Sequence, residues 1–229
     1  MKKIIIEKST FDFLKAIAKN NNRDWFTDNK ETYLKANENM IDFADALLMK
    51  MKAHDNIENE SGKKSLFRIY KDIRFSKDKT PYKSHFAGHF TRATKQLRGG
   101  YYFHIEPGNK SGMAGGFWNP NPEDLKRIRQ DIDRNYKDWK KLLANKTLKN
   151  MYGEMDGEKV NSAPKGYSKD NPAIDLLRYK QYLFWTPFTD KEVMSDDFVT
   201  KANAALKALR PFFDYMSEVL TTDLNGEAV

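Results

Sequence analysis

The sequence predicts an α+β fold, a small central antiparallel sheet with helices from the N- and C-terminal thirds packed against it. Three observations carry this. Apolar residues recur at helical spacing before residue 60 and after residue 121, but alternate in twos across much of the stretch between. Gly99-Gly100 and the Pro107–Gly112 segment are turn signals that separate alternating runs, as hairpins require. Strands gathered in the middle, with helices before and after, exclude a regular βαβ alternation. At 229 residues the chain is long enough for a real core. We expect one domain over 1–229, with a helical part at 1–60, the sheet at 64–118 and a mainly helical part at 119–229.

The elements follow in order. Ile4–Ile6 reads as a short strand or arm, and Ser9 or Thr10 can cap a helix whose face is Phe11, Leu14, Ile17 and Ala18. Asn20-Asn21-Asn22 ends it. Thr27 and Asp28 start a longer helix to about Lys52, with Tyr33, Met40, Ala44, Leu47 and Met51 as its stripe. Residues 55–65 are polar and read as loop. Phe67, Ile69, Ile73 and Phe75 alternate with Arg68, Tyr70, Asp72 and Arg74, the pattern of a half-buried strand. A turn-prone loop with Pro81 follows, then a strand over Ser84–Thr91. Tyr101–Glu106 and Met113–Trp118 form a hairpin. Asn121 caps a helix with Pro122 at its first position and a stripe from Leu125 through Trp139 to Leu143. Residues 153–171 read as loop, Asn171-Pro172 opens a short helix, and Tyr182–Phe188 is a final strand. Asp196–Leu220 is a last helix, kinked at Pro211.

Charge is concentrated in the middle. Net charge is +8, yet residues 61–100 alone hold eleven lysines and arginines against Asp72 and Asp78. Local positive charge attracts phosphate, carboxylate or nucleic acid. The chain has no cysteine, which excludes disulfides and thiolate metal sites and suits a reducing, cytoplasmic setting. The opening MKKIIIEKST is too short in apolar residues for a signal-peptide core, and no membrane span is legible.

The basic ribbon is the expected working surface. Arg68, Asp72 and Arg74 share one strand face, and a guanidinium fork left free by the carboxylate recognises phosphate or carboxylate bidentately. Lys79 and Lys83, flanking Pro81-Tyr82, are expected to close over the same ligand, with Tyr82 in contact. His104 or Asp72 is the expected proton-transfer group. His85 and His89 share a strand face but lie about 13 Å apart, too far for one ion. No metal site and no cofactor is therefore expected. Gly112–Trp118 lacks the spacing of a phosphate loop or a dinucleotide fingerprint.

Two segments carry a resemblance. Asn21–Phe26, reading NNRDWF, and Arg68–Lys83, reading RIYKDIRFSKDKTPYK, resemble a mainly bacterial conserved-hypothetical family catalogued as domain of unknown function twenty-four sixty-one. The likeness extends through Gly115-Gly116, Ile128-Arg129 and Pro164–Tyr167. It implies one full-length domain and carries no activity, cofactor or substrate with it. The residues themselves favour a small-ligand-binding protein or enzyme acting on an anionic, phosphate- or carboxylate-bearing compound. The alternative is a nucleic-acid or acidic-partner module, since Tyr70, Tyr82, Phe86 and Phe90 interleave with the cations. A third reading makes the ribbon structural, pinned by buried ion pairs.

Overall fold

The computed structural model describes residues 3–223 and Glu227. Its sheet has four antiparallel strands in the order β1 (Phe86–Thr91), β2 (Gly100–Ile105), β3 (Ser111–Phe117) and β4 (Tyr182–Phe188). Helices α1 (Lys8–Lys19), α2 (Arg23–Asp28), α3 (Lys30–Lys52) and α4 (Gly62–Ser65) precede it. Between β3 and β4 lie α5 (Pro122–Arg134), α6 (Tyr136–Leu143), α7 (Lys146–Tyr152) and α8 (Ile174–Leu177). Helices α9 (Asp190–Val193), α10 (Phe198–Ala208) and α11 (Arg210–Thr221) follow. The architecture is α+β, as expected. The sheet, however, begins at residue 86 and takes its fourth strand from beyond residue 118.

The chain divides into two compact units. The first comprises Met1–Phe90, Tyr102–Met113 and Pro187–Ala204. Its core is aromatic: the Phe43 ring meets Phe103 edge-on and stacks on Phe198, while Phe90 and Phe13 pack against Phe103 and Phe86. The second comprises Thr91–Tyr101, Ala114–Thr186 and Ala205–Val229. Trp139, Tyr182, Phe184, Phe212 and Phe213 fill it, and the buried Arg92 donates to Asp214 at 2.5 Å and to the Ser217 hydroxyl.

Helix limits differ from expectation where a polar side chain found a better partner. Glu7, not Ser9 or Thr10, stands at the start of α1, because the Thr10 hydroxyl is buried and donates to Asn39 Oδ1. Asn22 caps α2 by accepting from Trp25 N–H at 2.9 Å. The expected single helix from Pro122 to Leu143 is interrupted at Asn135, whose φ of −113° and ψ of 32° leave the helical region. Pro211 separates α10 from α11 instead of kinking one helix, since it sits in the first turn of α11, where its missing N–H costs nothing.

The largest correction concerns the ribbon. Residues 66–75 are not a strand; only Leu66 and Tyr70 form isolated bridges, to Gly88 and Tyr82. Ile69 is buried, but Phe75 is 95% exposed, so the alternation ends after one turn of pairing. Local bonds explain it. Asp72 accepts from Arg74 N–H, Ser76 from Asp78 N–H and Asp78 from Thr80 N–H. Side-chain bonds of this kind offer the backbone an alternative to a ladder, and here they win.

What holds the ribbon is tertiary. The Asn21 amide donates to Tyr82 C=O at 2.9 Å and accepts from Tyr82 N–H at 3.0 Å, completing the peptide as a neighbouring strand would. The Phe26 ring stacks on Tyr82 at 4.1 Å, and Tyr70 meets Phe26 edge-on. Gly88 lets residue 65 pass close, because a Cβ there would stand 2.6 Å from Ser65 O.

Substituting Asn21→Ala removes two hydrogen bonds to a buried peptide, and we expect a loss of about 1–3 kcal/mol in urea unfolding. Amide exchange at Tyr82 should accelerate more than exchange in α3. An unchanged urea midpoint would mean that the ribbon is held elsewhere.

Candidate functional site

Alternate residues of a strand share a face, and on β2 and its ends the core face is Tyr101, Phe103 and Ile105. The opposite parity, Tyr102, His104 and Glu106, is half-buried. His85, just before β1, lies beside it, its ring centroid 4.3 Å from that of His104. His104 is held at both nitrogens: Nδ1 is 3.0 Å from the Tyr102 hydroxyl and Nε2 is 2.8 Å from Glu106 Oε2. Lys110 Nζ donates to Glu106 Oε1 at 3.3 Å, and the Glu106 backbone is fixed by Ser111, whose buried hydroxyl accepts from its N–H and donates to its C=O.

Electrostatics follow from this half-burial. Desolvation lowers His85 to a pKa of about 4, His104 adds to the effect, and Glu106 only partly offsets it, so the ring is neutral at physiological pH. Burial pushes Glu106 upward, but hydrogen bonds from His104 and Lys110 outweigh it and hold the carboxyl below its usual range. Burial, then the Glu106 charge, raise Tyr102. Lys83 is lowered by desolvation and by the Arg68 charge.

Lys83 continues the polar surface. Its ammonium lies 5.5 Å from the centroid of the Phe67 ring, which stacks on His89 at 5.1 Å and leans on Tyr102 at 6.4 Å. It donates to Arg68 C=O at 3.0 Å. The Arg68 guanidinium is exposed, with no hydrogen bond or ion pair among the described residues. The structure thus brings Lys83, His85, Tyr102, His104 and Glu106 to one surface, with Arg68 at its margin.

The other expected site residues are placed differently. Arg74 is clamped bidentately by Asp72, at 2.9 and 2.7 Å, with the two side chains 77% and 51% exposed. Its guanidinium bond holds Asp72 below the usual carboxylate range. The pair is therefore neither a free fork nor a buried pin. Lys79 donates to Ile73 C=O, closing its own loop. Tyr82 is 5% exposed against Phe26, so it fastens the ribbon and does not face solvent.

Spacing along one strand concealed the main feature. The distance from His85 to His89 argues against a shared ion, but His104 arrives from the neighbouring strand. Donor atoms of His85, His104 and Glu106 all lie within 4.8 Å of one another. Elsewhere, in the second unit, a cleft of about 640 Å³ is lined by Arg127, Asp131, Arg134, Tyr215 and Glu218. Its Asp131 is engaged structurally, accepting from Trp139 Nε1, the Tyr215 hydroxyl and Asn135.

A family model described as Conserved hypothetical protein (DUF2461) matches residues 9–215, and the chain belongs to that family. Comparison with curated proteins and with solved structures finds no match. Among the described residues, no helix is long and apolar enough to cross a membrane.

The loop that presents Lys83 is closed by Asp78, which accepts from Lys71 at 2.8 Å and from Thr80 N–H and hydroxyl at 2.9 and 2.7 Å. The Lys71 bond first, and the Thr80 bonds after it, hold Asp78 well below the usual carboxylate range. A depressed carboxyl stabilises the folded loop fully above its unfolded pKa, about 3.9, and loses that contribution as pH falls further. Amide exchange at Thr80, corrected for intrinsic rate, should rise below about pH 4 in the wild type. In Asp78→Asn it should be fast already at neutral pH and lack that step.

Proposed function

We propose that this member of the conserved hypothetical family binds a small phosphate- or carboxylate-bearing molecule on the outer surface of β1 and β2. Lys83 and Arg68 take the anion, and the Tyr102–His104–Glu106 chain handles a proton. The observation that carries this reading is a half-buried, hydrogen-bonded His104 packed against His85, whose ring in turn feels the charge of the partly desolvated Lys83. A cation withdrawn from water gains more from an anionic ligand than an exposed one does. A histidine held at both nitrogens has its ring orientation fixed, which positions it as acid or base. Phe67, 41% exposed and flanked by Lys83, adds a flat apolar surface for a ligand's body.

The reading has a direct test in thermal unfolding with inorganic phosphate, sugar phosphates, nucleotides, short carboxylates and oligonucleotides, in the presence of chelator. A ligand at a hundred times its dissociation constant stabilises by about 2.7 kcal/mol. We expect a small anion to raise the melting temperature of the wild type and of Arg74→Ala. Lys83→Ala should lose the shift and Arg68→Ala should reduce it. No small-anion shift in the wild type, or one untouched by both Lys83→Ala and Arg68→Ala, would overturn the reading. A shift with oligonucleotides alone, falling steeply with salt, would replace it with nucleic-acid binding.

A further inference from the structure

We propose that His85, His104 and Glu106 form a site for a zinc-class divalent metal ion. Two imidazoles and one carboxylate are the donor set of open zinc sites, in which three protein ligands leave a position for water or substrate. They also disfavour magnesium and calcium, which take oxygen ligands. The geometry is close to what such an ion needs. Tetrahedral ligands about 2.1 Å from a zinc ion stand about 3.4 Å from each other. Here His104 Nε2 is 2.8 Å from Glu106 Oε2, His85 Nδ1 is 4.0 Å from the same oxygen, and all three donors fall within 4.8 Å. An ion between them would draw His85 toward Glu106 and open the His104–Glu106 contact, each by less than about 1 Å.

The surroundings match a ligated histidine as well. A metal-bound imidazole donates its other N–H to an outer partner that fixes its tautomer. With Nε2 on the ion, His104 Nδ1–H would donate to the Tyr102 hydroxyl oxygen, now 3.0 Å away. Glu106 is held at its second oxygen by Lys110 and at its backbone by Ser111, so the carboxylate is oriented before any ion arrives. One carboxylate against a divalent charge leaves the site net positive. Its fourth position would therefore favour an anion, and Lys83, two residues before His85, adds to that preference. With the ion bound, His104 is a ligand and no longer a proton carrier.

The location of the ion stands on the three donors alone; only the anionic nature of its fourth ligand rests on the anion-binding reading above. The test uses the full chain, stripped with chelator and dialysed, titrated with Zn²⁺ by calorimetry and with Co²⁺ by visible absorption. We expect one ion per chain and d–d bands of four-coordinate cobalt. His85→Ala, His104→Ala and Glu106→Gln should each weaken Zn²⁺ binding by more than 100-fold, and Tyr102→Phe by about 10–100-fold as an outer partner. His89→Ala, one residue outside the donor set, should leave it unchanged. Circular dichroism checks that each variant is folded, and His85→Asn repeats the test if His85→Ala is not. No binding in the wild type, binding retained in folded His85 and His104 variants, or equal loss in His89→Ala would overturn the site. If the phosphate or carboxylate shift persists in chelator while Zn²⁺ fails to bind, only the ion is refuted. If Zn²⁺ binds as expected and no small anion shifts the protein, only the anion reading is refuted.

Discussion

A single asparagine side chain does for the ribbon what a partner strand would otherwise do. Asn21 pairs with both polar groups of the Tyr82 peptide, and Phe26, five residues on, receives the Tyr82 ring. Without this contact, residues 71–83 have two further backbone–backbone anchors among the described residues, Lys71 N–H to Pro81 C=O and Lys83 N–H to Ile69 C=O. The strand β1 and His85 begin three to four residues downstream. Their position relative to Lys83 therefore depends on where Tyr82 is fixed. The two segments that carry the family likeness, Asn21–Phe26 and Arg68–Lys83, are the two halves of this fastening.

The fastening also explains how the cations divide. Charge alone marks the whole ribbon as basic, but the chain uses most of that charge on itself. Arg74 is held by Asp72, Lys71 by Asp78 and Lys79 by a carbonyl of its own loop. These are exposed contacts that order a loop of poor ladder content, and each alone stabilises little. Lys83 and Arg68 differ because they lie where the ribbon meets the sheet. Lys83 is partly desolvated there, and the Arg68 guanidinium makes no hydrogen bond or ion pair among the described residues.

Much of the fold was legible in the sequence because its signals are local. Helical stripes, the Asn121-Pro122 start and the hairpin around Pro107 act over a few residues, and helices and strands formed there, although the stripes did not show the breaks at Asn135 and before Pro211. The ribbon misled because its alternation was real but its aspartates and serine outcompeted the ladder, leaving Phe75 in water. The histidine cluster was hidden for a different reason. Which residue of β2 stands beside His85 depends on register, which is set by the turn and the buried face and not by any motif. A signal was nevertheless present. Tyr102, His104 and Glu106 share the parity opposite the core residues Tyr101, Phe103 and Ile105, and three polar, titratable groups on one half-buried face are more than solubility requires.

The charge balance of that face gives its chemistry a direction. Glu106 is the carboxylate at the cluster, and it faces two imidazoles and Lys110, with Lys83 nearby. Burial has already driven one imidazole neutral, which removes a repulsion between the two rings. A neutral imidazole, a second imidazole with a fixed outer partner and an oriented carboxylate can accept positive charge between them. The cations at the margin can accept negative charge outside them. A face that is short of cation at its centre and of anion at its rim is suited to a metal ion and an anionic ligand together, in that spatial order.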